Sequence, residues 1–343
     1  MIRLLKVELG RLLSRRLFRA VVILGLLGVL AVDGLIAAQS SNNVAAAKAK
    51  ADQQLQTQYQ DCVSHISKTP DQGPSQADCD NQLPANQLTA CLTFAAQHPG
   101  NAPTVEDCRR QGAYNPYFND PRFHFADHAK DLIIASTYLL MAVGLILAAS
   151  CIGAEWQAGT FAALLTWEPR RQRVMAAKLL APVIAVTVLA AVLMLILESG
   201  AALAAEVRGT LELTTSHVVG QVAVMGARVL GLIALVTLIG GAIAVFTRHT
   251  VAVVGVIAGY LIGGEIVGGI ASTWWRNHGL AAQLLAFIQG HFSYYVEPPP
   301  GVDPASWNGQ RLLHAGPASL IVISITGALV VVASVALSRR DVA

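Results

Sequence analysis

The chain has 343 residues, of which 54% are hydrophobic and only 13% charged. With a mean hydropathy of +0.52 it is too apolar for a water-soluble globule, whose charged share is nearer a quarter. Its 24 Lys and Arg against 21 Asp and Glu leave no general polyanion-binding surface, which excludes nucleic acid as a partner. The composition is that of an all-α polytopic membrane protein with one small soluble domain.

In chain order, Ile2, Leu5, Leu9, Leu12 and Leu13 recur at helical spacing, with Arg3, Lys6, Arg11, Arg15 and Arg16 largely elsewhere on the wheel. Residues 1–17 therefore read as an amphipathic helix lying in the membrane interface. Apolar runs long enough to cross a hydrocarbon core follow near 18–38, 132–153, 174–205, 218–246, 250–272 and 316–337. Six spans put both termini on one side. The proposed inner segments hold Arg3, Lys6, Arg11, Arg15, Arg16, Arg19, Arg170, Arg171, Arg173, Lys178, Arg248, Arg339 and Arg340, whereas the short outer loops hold Arg208, Arg276 and Arg311. Short basic loops are retained in the cytoplasm, so both termini are expected inside the cell membrane. A signal peptide is the rival reading of the first run. Against it stand the long basic start, an apolar run that continues past Asp33 to Ala38, and the lack of an Ala-x-Ala site.

Residues 39–130 turn polar at once and carry Cys62, Cys79, Cys91 and Cys108, so they read as an extracellular domain. The stretches CVSHISKTPDQGPSQADC (62–79) and CLTFAAQHPGNAPTVEDC (91–108) align without gaps, an internal repeat that matches Pro70 with Pro99, Pro74 with Pro103 and Asp78 with Asp107. Ser75 to Asp78 and Thr104 to Asp107 each resemble a capping box. Of the three pairings open to four cysteines, the repeat favours Cys62 with Cys79 and Cys91 with Cys108; cross-pairing of the repeats is the rival. Zinc is disfavoured because no paired C-x-x-C occurs and His65 and His98 do not repeat with the cysteines. No metal site is expected, and Cys151, inside the second span, reads as a small packing residue.

Between the second and third spans runs GAEWQAGTFAALLTWEPRRQRVMAAK, Gly153 to Lys178. Phe161, Leu164 and Leu165 recur at helical spacing between Gly159 and Pro169, in a segment too short and too charged to span. The segment is expected to be a short helix at the inner surface. Its acidic residue, Gly-Thr, Leu-Leu pair, Pro, basic residues and entering Lys (Glu155, Gly159, Thr160, Leu164, Leu165, Pro169, Arg170, Arg171 and Lys178) resemble the permease subunits of type-2 ATP-binding-cassette (ABC) exporters, especially those of actinobacteria. The basic start, the six spans and the closing SRRDVA fit as well. The resemblance implies a coupling helix over roughly Glu155 to Pro169, with Glu168, Arg170 and Arg171 as contacts to an ATPase or to lipid headgroups. It further implies a second permease subunit, identical or not, with spans one and five at the seam. A charge reversal at Glu155 or Glu168 is expected to uncouple transport while leaving folding intact.

Within the apolar runs, Asp33, Glu198, Arg228 and Glu265 are costly unless paired or wetted and are functional candidates by default. Glu198 and Arg228 lie at similar depths and are expected to pair between helices, whereas Asp33, near the outer end, is expected to reach water. In the fifth span Gly255, Gly259 and Gly263 fall at four-residue intervals, a small-residue face suited to close helix packing or a dimer seam. Trp274, Trp275, the apolar stretch from Leu280 to Phe292, Tyr294, Tyr295 and Pro298 to Pro300 read as an outer re-entrant or interfacial segment over 273–315, ahead of the sixth span and a cytoplasmic tail.

There is no G-x-x-x-x-G-K-[ST], H-E-x-x-H or G-x-S-x-G, so no enzyme chemistry is visible. No cofactor is expected in this chain, and ATP with Mg belongs to a partner ATPase. The reading is a permease subunit that exports an unidentified substrate outward. Its alternative is a membrane-anchored sensor whose stapled outer domain recognises a ligand; an intramembrane hydrolase is weakest.

Overall fold

The computed structural model describes residues 2–68, 79–80, 120–160, 170–212, 214–297 and 308–339. Six of its helices are long and apolar enough to cross a membrane. By contact density the chain divides into two compact units, Met1–Asp33 with Ala126–Ala201 and Glu212–Ala343, and Gly34–Phe125 with Ala202–Leu211.

The first unit opens with α1 (Ile2–Ser14) and continues into α2 (Arg16–Gln39), the first span. The second to fourth spans are α4 (Phe125–Gln157), α5 (Arg171–Arg208) and α6 (Ser216–Thr247), each longer than its apolar run because polar turns extend the helix at both ends. Thr215 caps α6 by accepting from the Val218 N–H. The fifth span is composite: α7 (Thr250–Tyr260), a π-helix (Leu261–Val267) and α8 (Gly268–Ala271). Then come α9 (Thr273–His278), α10 (Leu280–Gln289), strands β1 (His291–Tyr295) and β2 (Gln310–His314), and α11 (Ala315–Arg339), the sixth span. The two strands pair antiparallel with His291 opposite His314 and Tyr295 opposite Gln310, a hairpin that the all-helical reading of the sequence did not include.

A core along α4, α5 and α6 joins Ile133, Leu140, Leu147, Cys151, Val186, Leu193, Val229, Leu232 and Ile233. Close approach of α4 and α6 depends on a missing side chain. A Cβ on Gly240 would fall 3.1 Å from the Leu145 carbonyl oxygen, so only glycine lets the two backbones meet there. The outer spans differ sharply from this centre: none of the most apolar stretch of α2, and only 6% of that of the fifth span, is buried within the chain.

In the second unit α3 (Val44–Lys68) carries Cys62, which is disulfide-bonded to Cys79. This is the within-repeat pairing that the sequence favours; Cys91, Cys108 and both capping boxes lie outside the described residues. Beside the bond, the Tyr59 hydroxyl donates to Asp80 Oδ1 at 3.0 Å. The unit also takes in residues 202–211, beyond the 39–130 of the sequence boundaries. Ser40 knits its segments together: the hydroxyl donates to the Arg208 carbonyl and accepts from the Phe123 N–H at 3.0 Å. The Thr210 N–H donates to the Phe123 carbonyl and the Ser41 N–H to that of Pro121, each at 2.9 Å.

Next to this knot Asp120 accepts from Arg122 Nη2 at 2.8 Å and lies 3.1 Å from His124 Nε2. The Arg122 hydrogen bonds hold its carboxyl well below the usual range, at about 2, against the opposing effect of burial. A carboxyl whose folded pKa is depressed contributes stability above its unfolded pKa and loses it as pH falls through the folded one. The second unit should therefore lose stability between about pH 4 and pH 2 through this group. Asp120→Asn should flatten that part of the acid-unfolding profile; an unchanged profile would show that the Asp120 cluster does not stabilise the unit.

Candidate functional site

The N-terminal helix is basic, and Glu8 is its lone acid. In an aqueous amphipathic helix it would face water, yet here it is only 3% exposed. The reason is Lys178, two turns into α5, whose ammonium donates to Glu8 Oε1 at 3.1 Å and also to Glu155 Oε2. Glu155, in the last turn of α4, accepts from Arg15 Nη2 at 3.2 Å. Arg15 donates in addition to the carbonyls of Ser150 and Cys151 at 3.2 and 3.3 Å, on the same helix. Arg11 closes the cluster, 3.6 Å from Glu8. Two carboxylates thus share one buried lysine and are flanked by Arg15 and the half-exposed Arg11, so neither acid is unpaired and most lone pairs are filled, the condition for an ion cluster to persist away from water.

The cluster ties α1 and the entrance of α2 to both helices that flank residues 161–169. α4 stops at Gly159, whose φ of 69° is a left-handed conformation that terminates helices. The Thr160 hydroxyl donates back to the Glu155 carbonyl at 3.3 Å. On the far side Arg170 is exposed and Arg171 Nη1 donates to the Leu337 carbonyl at 3.3 Å, joining the start of α5 to the end of α11. The α6–α7 junction meets the same end of the bundle: the Arg248 guanidinium lies 4.5 Å over the Trp156 ring, and a Cβ on Gly153 would fall 2.8 Å from the Thr250 nitrogen.

Several sequence expectations are redrawn. Glu155 is in a spanning helix, buried and paired, rather than on a surface helix, so the premise that its reversal spares folding fails. Gly159, Thr160, Arg170 and Arg171 border residues 161–169; Leu164, Leu165, Glu168 and Pro169 lie outside the described residues. Glu198 and Arg228 do not pair. Both Glu198 carboxylate oxygens are buried without a hydrogen-bond partner, because that face of α5 turns toward α2: the Asp33 carboxylate packs against Gly200, and a Cβ there would fall within 2.8 Å of Oδ1. Asp33 accordingly faces α5 with a buried Oδ1, the residue as a whole being half-buried. Arg228 points elsewhere on its helix, its Nη1 lying 2.7 Å from where a Gly290 Cβ would sit. Glu265 accepts from the Tyr260 hydroxyl at 2.6 Å and from the Ala281 N–H at 3.2 Å. Gly255, Gly259 and Gly263 have no atom within 4 Å of an added Cβ, so no described residue covers their face.

The profile of ABC-2 family transporter proteins matches residues 4–342. The chain belongs to the ABC-2 transporter family. Membership makes it a multi-pass transport permease, favours that role over a ligand sensor, and accords with a family that works with an ATPase subunit. No curated protein and no solved structure gives a match.

Glu8 and Arg15 escaped the sequence reading. One signal pointed to them: a single acid in a helix otherwise bearing Arg3, Lys6 and Arg11, where a surface role would leave it no reason to be the exception.

Proposed function

We propose that this chain is the permease subunit of an ABC exporter, moving its substrate outward with energy from ATP and Mg bound in a separate ATPase chain. The supporting observation is the buried cluster of Glu8, Arg15, Glu155 and Lys178 around the roots of the 161–169 loop. A push delivered to that loop reaches α4 and α5 directly, and Lys178 makes those two helices and α1 move as one block. A flexible anchor loop would have no need of such bracing.

In this reading the termini and the cluster are cytoplasmic and residues 39–130 extracellular. The uncovered faces of α2 and of the fifth span, with Gly255, Gly259 and Gly263, receive a second permease subunit at short backbone distance, or membrane lipid where that subunit does not reach. Leu164, Leu165, Glu168 and Pro169 supply the contact to the ATPase, and α1 lies in the inner interface with Ile2 and Val7 toward lipid.

Affinity purification of the full chain from its native membrane tests this. The expected result is stoichiometric recovery of a chain bearing G-x-x-x-x-G-K-[ST], with ATP turnover abolished when that chain's motif lysine is replaced. Recovery of the permease with no nucleotide-binding chain and no ATP turnover would overturn the proposal.

A further inference from the structure

Between α10 and α11 the chain turns through the β1 and β2 hairpin, whose register sets two histidines face to face. His291, the first residue of β1, stands opposite His314, the last of β2. In an antiparallel ladder the opposed pairs alternate between hydrogen-bonded pairs and closer, non-hydrogen-bonded ones. The Ala315 N–H donates to the Gly290 carbonyl at 2.9 Å, so the adjoining pair is of the hydrogen-bonded kind. His291 and His314 are therefore the close kind, with Cβ atoms about 4.5 to 5.5 Å apart and both side chains on one face.

That face is the open one. Along β1, exposed His291, Ser293 and Tyr295 alternate with half-buried Phe292 and Tyr294, and on β2 exposed His314 follows half-buried Leu313. Neither imidazole has a hydrogen bond or ion pair among the described residues. His278, by contrast, is held by the Trp274 carbonyl and the Tyr294 hydroxyl. Packing thus gives no reason for two aligned imidazoles at the base of the hairpin, whereas ligation of one cation does. Two nitrogens on a tetrahedral zinc, each at about 2.0 to 2.1 Å, stand roughly 3.3 Å apart, which rings rooted this close reach by leaning together. No group of three or more His, Cys, Asp and Glu occurs among the described residues, so the chain supplies two ligands and the other positions are open to water or an external donor. Imidazole suits zinc, copper and nickel, while magnesium and calcium take oxygen ligands.

We propose that His291 and His314 form a two-imidazole site for a divalent transition-metal ion of the zinc, copper and nickel class, which staples the base of the hairpin where the sixth span begins. The sequence led to the expectation of no metal site because its ligands come from opposite ends of a hairpin, and only the register joins them. In the proposed topology the site faces the outside. Its chemistry does not depend on the transport reading.

The experiment titrates the untagged full chain, stripped with EDTA and held in nanodiscs, with Zn²⁺ alone. Zinc should bind with an affinity that falls at least roughly tenfold in His291→Ala and again in His314→Ala, the scale on which a metal site loses even an outer supporting group. His217→Ala, on α6, should match the wild type, and Mg²⁺ should not compete. With Cu²⁺ as the probe, electron paramagnetic resonance should show coupling to two imidazole nitrogens that neither variant retains. In the wild type, Zn²⁺ should protect both His291 and His314 from diethyl pyrocarbonate, read by peptide mass, and this measurement carries the test if a variant fails to fold. No zinc bound by the wild type, an affinity unchanged in either variant, or modification of both rings unaffected by zinc overturns the site. Zinc bound by this pair in a chain that recruits no ATPase leaves the site standing while the transport reading fails.

Discussion

Replacing Lys178 with Met is expected to destabilise the chain by about 3 to 5 kcal/mol, because removing one partner of a buried ion pair strands the other charge. Here it strands Glu8, whereas Glu155 keeps Arg15 at 3.2 Å. Lys178 and Glu8 have side chains only 3% exposed, so water cannot replace the lost ammonium, and Arg11, 3.6 Å from Glu8 and half exposed, is a weak substitute. The triple variant Glu8→Gln, Glu155→Gln, Lys178→Met leaves no lone carboxylate and should recover most of the loss. Thermal unfolding in detergent, followed by tryptophan fluorescence, measures both. If the three single substitutions sum to the triple, the residues do not act as a cluster. Loss of transport should accompany loss of the cluster even in the stable triple variant, since the ion pairs that join α1 to α4 and α5 would then be gone.

The spans were legible because about twenty apolar residues are needed to cross a membrane whatever the tertiary structure. Their ends were less so. The second span was placed at 132–153 but its helix runs from Phe125, through Asp127, His128, Lys130 and Asp131; hydropathy marks the hydrocarbon edge, whereas a helix ends where its backbone bonds do. Depth could be counted along the chain for Glu198 and Arg228, but the direction in which each side chain leaves its helix could not, and that direction separates them. Glu265 was singled out by its cost in an apolar run, and its use, capping α10, needed a contact sixteen residues away. The charge cluster spans 170 residues between Glu8 and Lys178, a pairing no local pattern encodes. The disulfide was the exception: repetition made the partner of Cys62 visible in the sequence itself.

Charge reversal should separate Glu155, the acid of the buried cluster, from Glu168, the acid that the proposed function gives to the ATPase contact. Glu155→Lys would set a fourth cation beside Arg11, Arg15 and Lys178 with only Glu8 to answer them, and like charges in a desolvated cluster repel strongly. The expected outcome is failure to accumulate folded protein, seen as aggregation on size exclusion, rather than a folded and uncoupled permease. Glu155→Gln keeps the shape and should fold with reduced stability. Glu168→Lys acts on the proposed ATPase contact, two residues before the exposed Arg170; reversals at a surface position cost within about half a kcal/mol. This variant should unfold at the wild-type temperature yet lose ATPase association and substrate-stimulated hydrolysis by roughly tenfold or more, the scale of a charge reversal in a partner interface. Wild-type stability in Glu155→Lys would refute the buried cluster. Full association and turnover in Glu168→Lys would instead remove the loop from the coupling path, leaving the cluster as a brace and nothing more.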